Sequence, residues 1–289
     1  MPATRSDYLV VVSEEDPVAR RVAERWGTPE STGLSVDGAP VRRLGEAALL
    51  LRRPGRHIHD ERLDARLPPA LREGRPTLVF PSIHRSEQNV ECLTVHPLGN
   101  PGPTAEVGGR ARTLVPTDPA RMTATLRVLA ERAREVGLSA TFEATHHGPE
   151  LALPAFFVEI GYGSADGPSE GAVGILADEL PQIRPDPDDR VAVGVGGGHY
   201  APHFTDLALR RRWAFGHLLS RHALTTLDGE TARSACTATP GALGVLYARA
   251  EDARLPAFAG IGPRLRDADA ERRTPAPAAT DVSPTASGT

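Results

Sequence analysis

Lysine is absent from this chain of 289 residues, and all 33 basic side chains are arginine. Arginine is always charged and carries a planar fork of donors, so bidentate phosphate contacts remain available without any ammonium group. Aromatic residues make up only 4% of the sequence, and a core must therefore rest on Leu, Val, Ala and Ile. The two cysteines, Cys92 and Cys236, have no paired spacing. That speaks against a disulfide framework and for free thiols in a reducing compartment. No run approaches the roughly 18 apolar residues of a membrane span. The apolar stretch behind MPATRSD is too short for a secretory signal. A cytoplasmic protein that does not engage a membrane is expected. The net charge of −4 gives no global attraction to nucleic acid. DNA is thus not an expected partner, and any RNA contact must come from a local basic patch. Neither a GxSxG elbow nor a Walker A loop occurs.

What is present reads as alternating strands and helices. Tyr8–Ser13 is a short β-branched run. Asp16-Pro17 then supplies a cap and a first-turn proline for a helix carrying Val18, Val22 and Trp26 up to Gly27. Val36-Asp37-Gly38-Ala39 signals a hairpin. Further strands are expected at Ala47–Leu51, Thr77–Phe80, Cys92–Val95, Ala140–Thr145, Ala155–Ile160 and Arg190–Val195. Asp118-Pro119 opens a second helix with Met122, Leu126, Leu129, Ala133 and Val136 on its apolar stripe, stopped by Gly137. Helices are also expected over Ser169–Leu180 and Asp206–His222. The fold class is α/β, a mostly parallel sheet between helices. Residues 1–266 form the α/β domain, with a division near 110–118 if there are two subdomains. The Ala-, Pro- and Thr-rich stretch 267–289 cannot bury a core and reads as a disordered tail.

The chemistry-bearing residues cluster. Of ten histidines, His146 and His147 stand in FEATHHGP, His199 in GVGGGHY, and His84 and His96 at the ends of expected strands. All follow apolar runs, so all could converge on one edge of a sheet. Adjacent histidines on extended backbone point to opposite sides, which lets only one of His146 and His147 face a given pocket. Glu143, three residues upstream, is a candidate orienting carboxylate. Glu159 lies in the apolar run PAFFVEIG, where a carboxylate pays several kcal/mol in desolvation unless it is paired, metal-bound or protonated. It either points outward at the strand end or acts as a general base or metal ligand. Gly196, Gly197 and Gly198 either form a tight turn or present a nest of N–H groups to an anion. Arg52, Arg53 and Arg56, with the run Arg210-Arg211-Arg212, are either solvated faces or phosphate contacts. Ser82 and Ser86 flank His84 without a recognisable nucleophile elbow.

Taken together, PSIHRSEQNVECLTVHPLGNPG, FEATHHGP, PAFFVEIG, VAVGVGGGHYAP and AFGHLLSRHA resemble the archaeal and plant type of D-aminoacyl-tRNA deacylase, from about Tyr8 to Leu224. The resemblance implies a three-layer fold like those of phosphorylase and peptidyl-tRNA hydrolase. It further implies a monomeric, zinc-dependent hydrolase of the ester between a D-amino acid and the tRNA 3′ end, with D-aminoacyl-tRNA as its partner. His84, His96, Asn100, His146, His147, Glu159, His199, Tyr200 and His217 fall at the family's motif positions. The resulting expectation gives catalysis to Glu159, His146, His147, His199 and His84. It gives substrate binding to His96, Asn100, Gly196, Gly197, Gly198, Tyr200 and His217, and zinc to His146, His147, Glu159 and His199. The metal would activate water against the ester carbonyl, and the amides of Gly196–Gly198 would hold the oxyanion. Departures are also present. Glu87 and His203 stand where the family carries lysine, and EIGYGSADGPSE replaces a tryptophan-bearing segment. Loss of cations would weaken tRNA binding or mark a changed substrate. The alternatives are a metal-dependent hydrolase of a small ester or amide and a non-catalytic tRNA-binding homologue.

Overall fold

The segment Tyr8–Ser13 (β1) is buried at every position, as befits a strand covered on both faces of a parallel sheet. In the computed structural model, which describes residues 7–85, 90–164, 166–186, 188–259, 261 and 265–267, β1 runs into α1 (Pro17–Glu24). The Asp16 carboxylate caps that helix by accepting from the amides of Val18 and Ala19 at 2.9 and 2.8 Å. The expected hairpin is present as β2 (Ser31–Val36) and β3 (Ala39–Arg43), followed by β4 (Ala48–Arg53). A short helix α2 (Pro69–Arg72) leads to β5 (Thr77–Arg85), β6 (Cys92–Pro97) and the small pair β7 (Gly99–Asn100) and β8 (Thr113–Leu114). Helix α3 (Pro119–Glu135) buries Met122, Leu126, Leu129 and Ala133. Val136 is its cap and is exposed, so the apolar stripe ends one turn earlier than its spacing suggests. Then come β9 (Ser139–Phe142), β10 (Ala155–Tyr162), α4 (Glu170–Glu179) and β11 (Arg190–Val195). The chain continues through α5 (Pro202–Arg210), β12 (Trp213–Leu219), α6 (Arg221–Leu224), α7 (Gly229–Thr237), β13 (Ala242–Tyr247) and β14 (Leu265–Asp267).

The helix expected over Asp206–His222 is corrected by α5 and β12. Arg211 is already extended, and all seven residues of WAFGHLL behind it are buried. A run with no polar face suits a strand packed on both sides better than an amphipathic helix. The segment finds its hydrogen bonds by pairing in parallel with β11.

Eight strands form one mixed sheet in the order β2-β3-β4-β1-β5-β10-β6-β9, and four form a wholly parallel sheet in the order β12-β11-β13-β14. In the larger sheet β4, β1, β5 and β10 are parallel, whereas β6 runs against β10. Most pairings are therefore parallel, and helices cover the sheets. Beyond Phe142 the chain crosses from one sheet to the other. The amide of Glu143 still donates to Val95 O at 3.0 Å, Ala144 donates to His199 O at 2.8 Å, and Thr145 donates to Leu218 O at 2.7 Å. This crossing places the ATHH segment between the two sheets. Of the tail read over 267–289, Asp267 ends β14, and 268–289 lie outside the described residues, as do Ser86 and Glu87.

Candidate active site

Three neighbouring strands present one face to the site. The register pairs Glu159 with Ser82 and Thr94, Gly161 with His84 and Cys92, and Phe157 with Phe80 and His96. Side chains in register, and those two residues apart, share a face of a sheet. His84, Glu159 and His96 thus stand together on β5, β10 and β6. Phe157 anchors this face, with its ring stacked on Phe80 at 4.9 Å and on His96 at 5.2 Å. Gly161 makes room for His84, since a Cβ there would lie 3.1 Å from the imidazole Cδ2.

The crossing segment supplies the rest. His147 has φ +41, in the left-handed region, so the backbone between the two histidines is not extended. Both rings consequently line the same cavity, with centroids 4.4 Å apart. The expectation that only one could face it fails for this reason. Gly148 follows because its backbone lies against the Gly108–Gly109 turn, and an added Cβ would meet Gly109 N at 2.2 Å. Asn100 donates to Gly108 O at 2.9 Å and so holds that turn, outside the cavity lining itself. An antiparallel bridge from Glu143 to Tyr200 brings His199 and Tyr200 over the same spot.

The resulting cavity, about 660 Å³, is lined among others by His84, His146, His147, Glu159, His199 and Tyr200. Glu143 is 0% exposed and Glu159 3%. His84 Nδ1 lies 3.3 Å from Glu143 Oε1 and 3.4 Å from Glu159 Oε2, and its Nε2 lies 3.1 Å from the Tyr200 hydroxyl. His96 Nε2 is 3.6 Å from Glu159 Oε1, and His199 Nε2 is 3.0 Å from Glu143 Oε2. Burial pushes the Glu159 carboxyl up, but hydrogen bonds from His84 and His96 outweigh it and hold the group well below the usual carboxylate range. Burial pulls His84 and His96 down, yet Glu159 leaves both raised. Burial, joined by repulsion from neighbouring histidines, keeps His146 well below its usual value and His147 at about 4.

A carbonyl oxygen only accepts, so a ring nitrogen beside one must carry the proton. His96 Nδ1 faces Pro97 O at 3.2 Å, His146 Nδ1 faces Ala144 O at 2.8 Å, and His147 Nδ1 faces Gly148 O at 2.7 Å. His146 and His147 therefore keep their Nε2 lone pairs, and His96, whose Nε2 faces Glu159 Oε1, offers its own once it gives up the proton it shares there. His96, His146 and His147 form one compact donor group, His84, Glu143 and His199 a second, and His96, Glu143 and Glu159 a third. His96 Nε2 and both carboxylate oxygens of Glu143 are buried without a hydrogen-bond partner. Orphaned donors and acceptors of this kind fit a metal ion.

A family model of D-aminoacyl-tRNA deacylase matches residues 73–253. A D-aminoacyl-tRNA deacylase of Thermoplasma acidophilum is 33% identical over 243 residues, 84% of this chain and 90% of that one. The chain belongs to the D-aminoacyl-tRNA deacylase family. Another D-aminoacyl-tRNA deacylase, of Pyrococcus abyssi, is 33% identical over 210 residues, 71% of this chain and 76% of its own length. The crystal structure of the conserved protein of unknown function AF0625 superposes with a TM-score of 0.77 at 26% identity, covering 92% of this chain and 96% of that one.

Within this family member, the geometry divides the expected site residues. His84, His146, His147, Glu159, His199 and Tyr200 meet in the cavity, and His96 joins them from behind. His217 does not face it. The ring is fully buried, donates from Nε2 to Val115 O at 3.0 Å and meets Thr145 Oγ1 at 3.1 Å, so it fastens the crossing segment to β12. The Gly196 amide donates to Leu219 O at 2.8 Å, and none of Gly196, Gly197 and Gly198 lines the cavity. An oxyanion nest there loses its first donor to the sheet. Sequence reasoning passed over His57, which lines the cavity, and took Asp16, beside it, only as a helix cap. The histidine-rich stretch RHIHD after β4 was the available signal.

Proposed function

We propose that the chain hydrolyses the ester joining a D-amino acid to the 3′ end of tRNA. One observation carries this reading: the family's histidine and glutamate motifs, scattered from His84 to Tyr200, meet in one cavity. An aminoacyl ester is already activated, so orientation and modest proton transfer suffice.

The donor set suits zinc. We assign it to His96, His146 and His147, three imidazoles whose Nδ1 protons rest on backbone carbonyls, an arrangement that fixes ligand tautomers and leaves a position open. This revises the expected set, in which Glu159 and His199 took the place of His96. When bound, zinc supplies Lewis acidity toward the ester carbonyl and the attacking water. Glu159 stays ionised and orients His84 through Nδ1. His84 holds a proton between two carboxylates at Nδ1 and faces the Tyr200 hydroxyl at Nε2, which suits the pair to protonating the departing ribose oxygen. Discrimination against the L-ester comes from cavity shape, a rejection rather than an added attraction. We place the enzyme in the cytoplasm as a monomer, where its tRNA substrate is and where Cys92 and Cys236 remain free. No helix among the described residues is long and apolar enough to cross a membrane.

The test is ester loss from D-tyrosyl-tRNA and L-tyrosyl-tRNA with and without a chelator. Rapid, chelator-sensitive loss of the D-ester alone is expected. Cleavage of neither ester overturns the reading, and undiminished cleavage in chelator overturns the zinc assignment.

A further inference from the structure

Six arginines in two sequence clusters were candidates for phosphate contacts, and the structure separates one from the rest. Arg52 is paired with Glu14, and Arg53 is buried between Asp37 and Asp60 at 2.8 Å from each. Arg210 pairs with Asp206 at 2.6 Å, Arg212 with Asp186 at 3.2 Å, and Arg211 is also engaged. Arg56 is exposed and, among the described residues, has no carboxylate partner and is the only arginine lining the cavity.

Its backbone is firmly rooted. The next residue, His57, is buried, donates from Nε2 to Pro81 O at 3.0 Å, and packs its ring edge-on against Phe157 at 5.1 Å. Phe157 in turn touches His147 at 4.9 Å. Two ring contacts therefore connect the root of Arg56 to the proposed zinc ligands. The cavity's other charged walls include the carboxylates of Asp16 and Glu159, which repel a phosphate. In an aminoacyl-tRNA the ester and the last phosphodiester sit on opposite sides of one ribose. Arg56 lines the same cavity as His146 and His147, so a cation there can meet that phosphate while the ester lies against the histidines.

We propose that Arg56 binds the 5′ phosphate of the terminal nucleotide of the tRNA and so distinguishes a tRNA ester from a free aminoacyl ester. The proposal rests on the deacylase reading and deepens it. A side-chain carboxylate on the amino acid is the competing anion, and a tyrosyl substrate removes it from consideration.

The experiment compares wild type, Arg56→Ala and Arg56→Lys on D-tyrosyl-tRNA and on 3′-O-(D-tyrosyl)adenosine, which lacks the phosphate. For Arg56→Ala the KM for D-tyrosyl-tRNA is expected to rise about ten-fold with kcat nearly unchanged, as loss of a charge-assisted contact to a non-reacting group requires. The adenosine ester should be cleaved as by wild type, and Arg56→Lys should lie between. The slope of log kcat/KM against log salt on D-tyrosyl-tRNA should shrink by about 0.7, one single-strand phosphate contact. That slope decides the matter if the adenosine ester turns over too slowly to follow. Equal effects on both substrates, or an unchanged KM and salt slope, overturn the proposal and leave the deacylase reading standing. A wild type that cleaves neither ester overturns both.

Discussion

His146 and His147 are consecutive in the chain, yet their rings meet the same cavity with centroids 4.4 Å apart at 71°. The left-handed backbone at His147 makes this possible, and the Nδ1 of each ring is held by a backbone carbonyl. If both ligate zinc, His146→Ala and His147→Ala should each lower bound zinc, measured by atomic emission, and reduce kcat/KM for D-tyrosyl-tRNA about 100-fold or more. Loss even of residues that only orient ligands typically costs 10–100-fold. Full zinc content in both variants would remove them from the ligand set.

Glu143 carries the clearest demand for a nearby cation. Its carboxylate is fully buried, and neither oxygen accepts a well-aligned hydrogen bond, although His84 Nδ1 and His199 Nε2 stand 3.3 and 3.0 Å away. A buried carboxylate without well-aligned donors costs several kcal/mol, whereas a neutral amide of the same shape costs less. In chelator, Glu143→Gln should therefore be as stable as wild type or more so, by about 1–3 kcal/mol. With zinc added the order should reverse. Urea unfolding of both proteins with and without zinc checks this, and a variant that is less stable under both conditions counts against it.

Gly148 is fixed by space. An added Cβ would stand 2.2 Å from Gly109 N and 2.4 Å from Gly108 C, both backbone atoms that cannot rotate away. Gly148→Ala should cost about 1–3 kcal/mol of stability through overpacking. Activity should fall further than stability alone predicts, because His147 is the neighbouring residue. A urea midpoint and a kcat both equal to those of wild type would show that the turn yields easily.

His217 gives a pH signature away from the cavity. Burial pushes its pKa down to about 4, against about 6.5 in an unfolded chain. The unfolded state thus binds the proton first as pH falls, and stability rises with pH between those values. The group's contribution is intact above pH ~6.5 and is lost progressively toward pH ~4, by about 3 kcal/mol in all. His217→Gln should be less stable than wild type at neutral pH, and the gap should narrow as pH falls through that window. A gap that stays constant from pH ~7 to ~4 would show that His217 does not titrate as stated.

Much of the architecture was legible because its signals are local. Asp16-Pro17 and Asp118-Pro119 each open a helix, since capping depends on the next three residues only. Asp37-Gly38 turns a hairpin with both residues at positive φ. WAFGHLL was read as helix because a short apolar run does not declare its period. What decided it was the neighbour, β11, with which it pairs.

The same division holds for the site. Sequence by itself determined which chemistry is present, since six histidines and Glu159 stand in motifs whose order and spacing mark the family. Only the tertiary structure decided how they combine. It set His96 with His146 and His147 across the crossing between sheets, brought Glu143 and Glu159 onto His84, withdrew His217 and the Gly196 amide into structural hydrogen bonds, and left Arg56 on the cavity wall with no carboxylate partner among the described residues. The reason is physical. Capping and turns are settled within a few residues, whereas a ligand set, an ion pair or a free cation depends on side chains brought together from distant segments, and strand register fixes those distances.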